Sequence, residues 1–119
     1  MTEQYLKSMN IKELTTEYFR HWNDHNVTKI REMFDNFSYL RNWDILVENR
    51  SDIMNVINNT FEKFPEIKYE LLMVHESPST KSCICEFIIH FNSHENIRVV
   101  NILEFNNNLK IISLKAFKC

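Results

Sequence analysis

Residues 99–118, VVNILEFNNNLKIISLKAFK, contain two apolar segments separated by three consecutive asparagines. Both segments are rich in Ile, Val, Leu and Phe, as β-strands are, and clustered asparagines favour a tight turn. This pattern predicts a β-hairpin with strands at 97–105 and 109–117. Segments of the same kind precede it at 66–74 and 82–91. Four sequential strands with short connections predict an antiparallel meander.

The residues ahead of these strands have helical periodicity. Residues 10–25 place one apolar face on a first helix, with Asn10 as its N-cap, and residues 27–34 form a short second helix. Residues 37–43 are typical of a short strand. A third helix follows, with Ser51 as its predicted N-cap and Pro65 marking the break beyond it. The inner positions of the three helices are Ile11, Leu14, Tyr18, Trp22, His25, Val27, Ile30, Met33, Phe34, Ile53, Ile57, Phe61 and Phe64.

The helices lie in the N-terminal half of the sequence and most strands follow them. This order predicts an α+β fold, with the helices packed on a strongly curved, mainly antiparallel sheet. A chain of 119 residues fits a single domain, which is assigned to residues 1–119. Strands 82–91 and 97–105 are apolar on both faces, which is more apolar surface than one set of helices covers. We therefore expect a homodimer formed through the outer side of the sheet.

Composition excludes several classes of partner. The net charge is -2, and the basic residues are scattered among acidic ones, which argues against nucleic-acid binding. No stretch approaches the roughly 18 apolar residues of a membrane span, and the N-terminus lacks the apolar region of a signal peptide, so a cytoplasmic protein is expected. Cys83 and Cys85 lie in an apolar strand and Cys119 is terminal, which predicts neither a disulfide nor a metal site. No cofactor is expected.

Glycine is absent from the chain, although turns often need a residue that tolerates positive φ. Asparagine is the next most tolerant residue, and it is concentrated at the predicted breaks. We therefore expect asparagines to replace glycine in the turns, at Asn92, Asn96, Asn106, Asn107 and Asn108.

The order of elements resembles the nuclear transport factor 2-like superfamily, which includes SnoaL-like and ketosteroid-isomerase-like proteins. Residues 17–34, EYFRHWNDHNVTKIREMF, resemble its opening helix pair, and residues 99–118 resemble its closing hairpin. The resemblance covers about residues 10–118. It implies a cone-shaped, cystatin-like fold around one apolar pocket, and it is specific for fold and weak for chemistry.

The resemblance also implies the positions of a site. Ketosteroid isomerase combines a general-base Asp with an oxyanion hole made of a Tyr and a protonated Asp. These positions fall on Asn42, Tyr18 and Asn101, so the tyrosine is retained and both acids are replaced by amides. Asn101 can still donate a hydrogen bond to an oxygen, but Asn42 cannot remove a proton from carbon. Ligand-binding residues are therefore expected at Tyr18, Trp22, Asn42, Trp43, Asn101 and Leu103.

Three other residues are candidates for the missing base. Asp44 shares a strand face with Asn42 if that segment is extended. A gapless alignment to the isomerase turns Glu86 and His90 towards the pocket, whereas periodicity favours the alternate face, which begins with Cys83 and Cys85, as the core. Under the second alternative, Glu86 and His90 lie at an interface or an edge. Tyr18 is either a pocket hydroxyl or a packed core tyrosine.

Three functions are compatible with this sequence. The first is an isomerase, cyclase or dehydratase acting on a small apolar carbonyl compound, with Tyr18 polarising an oxygen and Asp44, Glu86 or His90 moving a proton. The second is a protein that binds a small ligand without catalysis. The third is a dimeric interaction module whose pocket is filled by side chains. A carboxylate or imidazole near Tyr18 distinguishes the first from the second, and cavity volume distinguishes the third.

Overall fold

The computed structural model describes residues 10–119 of the chain. In that range the chain forms three α-helices and six β-strands, with a short 3-10 turn at Pro78–Thr80 between β3 and β4. In chain order the elements are α1 (Ile11–Asn23), α2 (Val27–Met33), β1 (Phe34–Arg41), β2 (Leu46–Val47), α3 (Arg50–Lys63), β3 (Lys68–Ser77), β4 (Ser82–His90), β5 (Asn96–Phe105) and β6 (Ile111–Lys118).

The six strands form one mixed sheet in the order β2-β1-β6-β5-β4-β3. Strands β3 to β6 are the predicted antiparallel meander. The first strand, β1, joins the meander by pairing in parallel with β6. The helices pack on this sheet, so the predicted α+β class is confirmed.

Helix starts are set by asparagine side chains. The Asn10 side chain accepts a hydrogen bond from the Glu13 N–H at 2.7 Å, as predicted for α1. For α3 the predicted cap, Ser51, is wrong. Asn49 caps the helix instead, because its Oδ1 accepts from the Asp52 N–H at 2.8 Å and its Nδ2 donates to the Asp52 carboxylate at 3.0 Å.

The core lies between the helices and one face of the sheet. On β4 the buried side chains are Cys83, Cys85, Phe87 and Ile89. The residues between them are half-buried or exposed. On β5 the buried set is Val99, Asn101, Leu103 and Phe105. Because strand side chains alternate between faces, these residues form the inner face of the sheet, beneath the helices. The residues between them form the outer face.

The turns are built without positive φ at asparagine. Within residues 10–119 the residues with positive φ are His25, Lys81 and Leu109, so the expectation that asparagine replaces glycine in this respect is wrong. Asparagine side chains close the turns as acceptors instead. Asn106 Oδ1 accepts from the N–H groups two and four residues ahead, at 2.9 and 3.0 Å. Asn92 Oδ1 accepts from those two and three residues ahead, at 2.8 and 2.9 Å.

No helix within residues 10–119 is long and apolar enough to cross a bilayer. The same residues contain no cluster of three or more His, Cys, Asp or Glu side chains suited to holding a metal ion.

Candidate functional site

A cavity of about 100 Å³ lies between α1, α3, the segment after β1 and the inner face of the sheet. None of the described residues that line it is an Asp, Glu, His, Lys or Arg. Its walls are apolar and aromatic, with a few neutral polar groups, as is usual for small-molecule sites. The lining residues are Tyr18, Trp22, Leu40, Asn42, Trp43, Val56, Ile57, Thr60, Tyr69, Phe87, Ile89, Val99, Asn101, Leu114 and Ala116.

Two tyrosines contribute neutral hydroxyl groups to this site. Tyr18 is on the inner side of α1, where its ring packs edge-on against Phe34 and Trp22. Burial raises the pKa of Tyr18 well above its usual value, and the neighbouring Cys85 thiol adds to that increase. Burial also raises the pKa of Tyr69, and the neighbouring Tyr18 adds to that increase. Both phenols are therefore hydrogen-bond donors, not bases, at neutral pH.

Trp22 and Asn101 each bury a polar atom that lacks a partner. The Trp22 ring stacks on Tyr69, with centroids 4.7 Å apart and planes inclined by 15°. Within residues 10–119, neither Trp22 Nε1 nor Asn101 Oδ1 makes a hydrogen bond. The Asn101 backbone oxygen, by contrast, accepts a bond from the Cys85 thiol at 3.8 Å. An unpaired buried polar group costs about 1–3 kcal/mol, so a hydrogen bond to either atom would relieve a cost that the unliganded protein carries.

Asn42 organises the loop at one side of the cavity. Its Oδ1 accepts hydrogen bonds from the N–H groups of Asp44 and Ile45, at 2.8 and 2.9 Å. This turn places Trp43 on the cavity wall, where 39% of the residue is exposed. The Lys118 Nζ lies 5.6 Å from the centroid of the Trp43 ring. The loop therefore depends on an amide or carboxylate oxygen at position 42.

The structure brings five of the six expected ligand-binding residues around one cavity. They are Tyr18, Trp22, Asn42, Trp43 and Asn101, which come from α1, the segment after β1, and β5. The sixth, Leu103, is fully buried but does not line the cavity. Its partners across the sheet are Cys83 and Leu114, so Leu103 is part of the core.

The three candidate bases lie elsewhere. Asp44 is exposed in the turn that Asn42 closes, and it does not line the cavity. Of the two alternatives for Glu86 and His90, the pocket-facing one from the gapless alignment is wrong, because the β4 pairing turns both to the outer face, as periodicity indicated. There Glu86 lies 3.5 Å from the Arg98 guanidinium, and His90 lies 2.9 Å from the Glu70 carboxylate.

Two polar lining residues were not predicted from sequence. Tyr69 faces inwards because successive side chains of β3 point to opposite faces of the sheet. Its pairing with Ile89 places both residues on the inner face. Thr60 follows Ile57 by nearly one helical turn, so helical spacing alone indicates it. It is polar, so it does not stand out in a stripe of apolar residues. Its hydroxyl donates to the Val56 carbonyl at 2.8 Å.

The cysteines are expected to differ sharply in reactivity. Burial raises the pKa of the Cys83 and Cys85 thiols, that of Cys85 to about 12, while Cys119 is exposed. Because the thiolate is the reactive form, a disulfide reagent such as 5,5′-dithiobis(2-nitrobenzoate) should modify one thiol per native chain and all three after denaturation. Cys119→Ser should abolish the native reaction. Rapid modification of a second thiol in the folded protein would contradict this assignment.

Searches with the sequence alone give no family: no family model matches the chain, and no curated protein matches it. Solved structures do match. An NTF2-like protein from Cytophaga hutchinsonii has a TM-score of 0.80 at 13% identity, covering 94% of this chain and 92% of its own. A SnoaL-like protein from Burkholderia thailandensis has a TM-score of 0.81 at 9% identity, and the match covers 92% of this chain and 93% of that protein.

A third match is SalBIII, an epoxide hydrolase/cyclase-like enzyme with a role in pyran ring formation in the polyether salinomycin. Its TM-score is 0.81 at 21% identity, covering 99% of this chain and 95% of its own. Identities this low show a shared fold and leave chemistry to the site itself. The chain therefore has the fold of these solved structures, which are described as NTF2-like, SnoaL-like or cystatin-like.

Proposed function

We propose that the protein binds a small, neutral, largely apolar molecule in the cavity and holds an oxygen atom of that molecule with the Tyr18 and Trp22 donors. The observation that carries this proposal is an apolar cavity without a charged lining residue, into which α1 and the sheet bring neutral hydrogen-bonding groups. A charged ligand would lose its hydration there without gaining a counter-ion. A carbonyl or hydroxyl oxygen, by contrast, matches the neutral donors.

The volume of the cavity limits the size of the ligand. An engineered cavity of about 150 Å³ in another protein accommodates benzene, so a cavity of about 100 Å³ suits a molecule of about six non-hydrogen atoms or fewer. A steroid is much larger than this volume. A ligand of this size has few contacts, so the expected affinity is in the millimolar to micromolar range.

The lining residues favour binding over general-base catalysis. None of them is a carboxylate or imidazole, and the two tyrosines are held in their protonated form. Catalysis by proton removal from carbon therefore lacks a base inside the cavity.

A second candidate function is an isomerase, cyclase or dehydratase that uses the same cavity. It is supported by Tyr18 and Asn101, which line one cavity and could polarise an oxygen together. This reaction would have to take its base from the ligand or from outside the lining residues. Measuring turnover of a bound ligand separates this candidate from simple binding.

Binding is tested with butan-2-one and isotope-labelled protein. We expect saturable shifts of amide and indole resonances that are confined to the cavity residues. Ala116→Leu replaces a methyl group on the cavity wall by an isobutyl group and should abolish the saturable shifts by filling the space. Asn58→Leu, on the exposed side of α3, is the matched control that should bind normally. Shifts that do not saturate, or that persist in Ala116→Leu, would contradict the proposal.

We propose in addition that the outer face of the sheet associates with a second copy of the chain. Six apolar side chains share that face: Met73, Ile84, Ile88, Val100, Ile102 and Phe117. The acidic groups around them are already paired within the chain, Glu86 with Arg98, Glu70 with His90 and Glu104 with Lys115. This surface is therefore apolar, and basic partners neutralise two of its carboxylates, Glu86 and Glu104, which favours contact with an identical surface across a two-fold axis.

A further inference from the structure

Two buried atoms restrict the chemical class of the ligand beyond its size and neutrality. Trp22 is 6% exposed and its Nε1–H is a donor, whereas Asn101 is 4% exposed and its Oδ1 is an acceptor. Both residues line the cavity, and neither atom has a partner among residues 10–119. Two residues that line the same cavity thus hold an unpaired donor and an unpaired acceptor.

The two atoms belong to different walls. Trp22 is on α1, where its ring packs edge-on against that of Tyr18, so the helix wall offers donors to a ligand oxygen. Asn101 is on β5, so the sheet wall offers an acceptor to a ligand O–H or N–H. A ligand that satisfies both walls needs an acceptor oxygen at one position and a donor group at another.

On the basis of the proposed function, we propose that the ligand is a small hydroxy ketone or a similar neutral hydroxy-carbonyl compound. Its carbonyl oxygen accepts from Trp22 Nε1–H, and its hydroxyl donates to Asn101 Oδ1. A simple ketone leaves Asn101 Oδ1 unpaired and a hydrocarbon leaves both atoms unpaired, so each lacks the gain that a hydrogen bond to the buried atom supplies. A carboxylate would place negative charge against the Asn101 oxygen with no cation on the cavity wall.

The test compares 3-hydroxybutan-2-one with butan-2-one, which differ by one hydroxyl group. The readout is the indole N–H resonance of Trp22 in 15N-labelled protein, which the Trp43→Phe variant distinguishes from the only other indole signal. We expect the hydroxy ketone to bind about tenfold more tightly or better. The Trp22 proton should move downfield with both ligands, because both carry a carbonyl oxygen.

The variant Asn101→Leu removes the acceptor and retains an apolar side chain of similar size. It should bind both ketones with the same affinity, and its melting temperature should not fall, because a buried unpaired oxygen is lost. Asn58→Leu, the matched control on the exposed side of α3, should keep the full preference for the hydroxy ketone. The comparison in the unaltered protein does not depend on the folding of either variant.

The possible failures of this experiment are distinguishable. If the two ketones bind equally to the unaltered protein, or if Asn101→Leu keeps the preference, the hydroxy-carbonyl assignment is overturned and the binding function stands. Saturable binding that leaves the Trp22 indole proton unmoved would overturn the same assignment. If neither ketone gives a saturable shift, the proposed function is overturned and this inference with it.

Discussion

The Asn42→Asp variant is expected to isomerise pent-4-en-2-one to the conjugated pent-3-en-2-one, a reaction that the unaltered protein should not accelerate. This β,γ-unsaturated ketone is small enough for a cavity of about 100 Å³. The new carboxylate would remove a proton from the carbon between the carbonyl and the double bond and return it to the terminal carbon. The Tyr18 and Trp22 donors would stabilise the dienolate oxygen in between.

The substitution should preserve the local structure. Asn42 Oδ1 closes the turn by accepting two backbone N–H groups, and a carboxylate oxygen accepts the same two bonds. Those bonds favour the charged form of the carboxylate and lower its basicity. General-base catalysis contributes about 10²–10⁴-fold, so we expect a gain near the lower end, about 10²-fold over background. The absorbance of the conjugated ketone gives the rate.

Controls separate the carboxylate from general effects of the substitution. Asn42→Asp combined with Tyr18→Phe should lose much of the gained rate, because it removes a donor to the developing oxyanion. A steroid substrate should give no reaction in any variant, because the cavity is too small to admit it. Isomerase activity in the unaltered protein would overturn the view that position 42 lacks a base.

The fold was predictable because the turn residues and the hydrophobic periodicity of the strands indicate the same arrangement. The β5 and β6 segments are apolar strands with an asparagine turn between them, and this hairpin is present in the structure. The inner face of β4 was predictable from periodicity, since Cys83, Cys85, Phe87 and Ile89 are all apolar and all buried. The gapless alignment gave the opposite face for Glu86, because a one-residue shift in register exchanges the two faces of a strand.

Other features depend on geometry that the sequence does not contain. Ser51 and Asn49 are both good N-caps, and only the path of the preceding segment decides between them. Leu103 faces inwards as expected, but whether an inward residue borders a cavity or fills the core depends on the volumes of its neighbours. For Tyr69 the missing information was that β3 lies at the end of the sheet, where α1 packs against it and Trp22 stacks on its ring.

The Ile84→Arg variant is expected to convert a dimer of this protein into a monomer. Ile84 is 47% exposed near the middle of the outer face, where it pairs with His75 on one side and Ile102 on the other. An arginine there would place an uncompensated charge in the proposed apolar contact. Two-fold symmetry brings both copies of the substitution into the same interface, so the charge is introduced twice.

The expected effect is large enough to measure directly. Leaving a charge buried without a partner costs about 3–5 kcal/mol, which raises the dissociation constant by about two to three orders of magnitude or more. Sedimentation equilibrium at micromolar concentration should therefore give a dimer for the unaltered protein and a monomer for Ile84→Arg. Asn58→Arg adds the same charge on α3, across the sheet from this face, and should remain dimeric. A monomeric unaltered protein, or a dimer that tolerates Ile84→Arg, would show that the outer face is not the contact between copies.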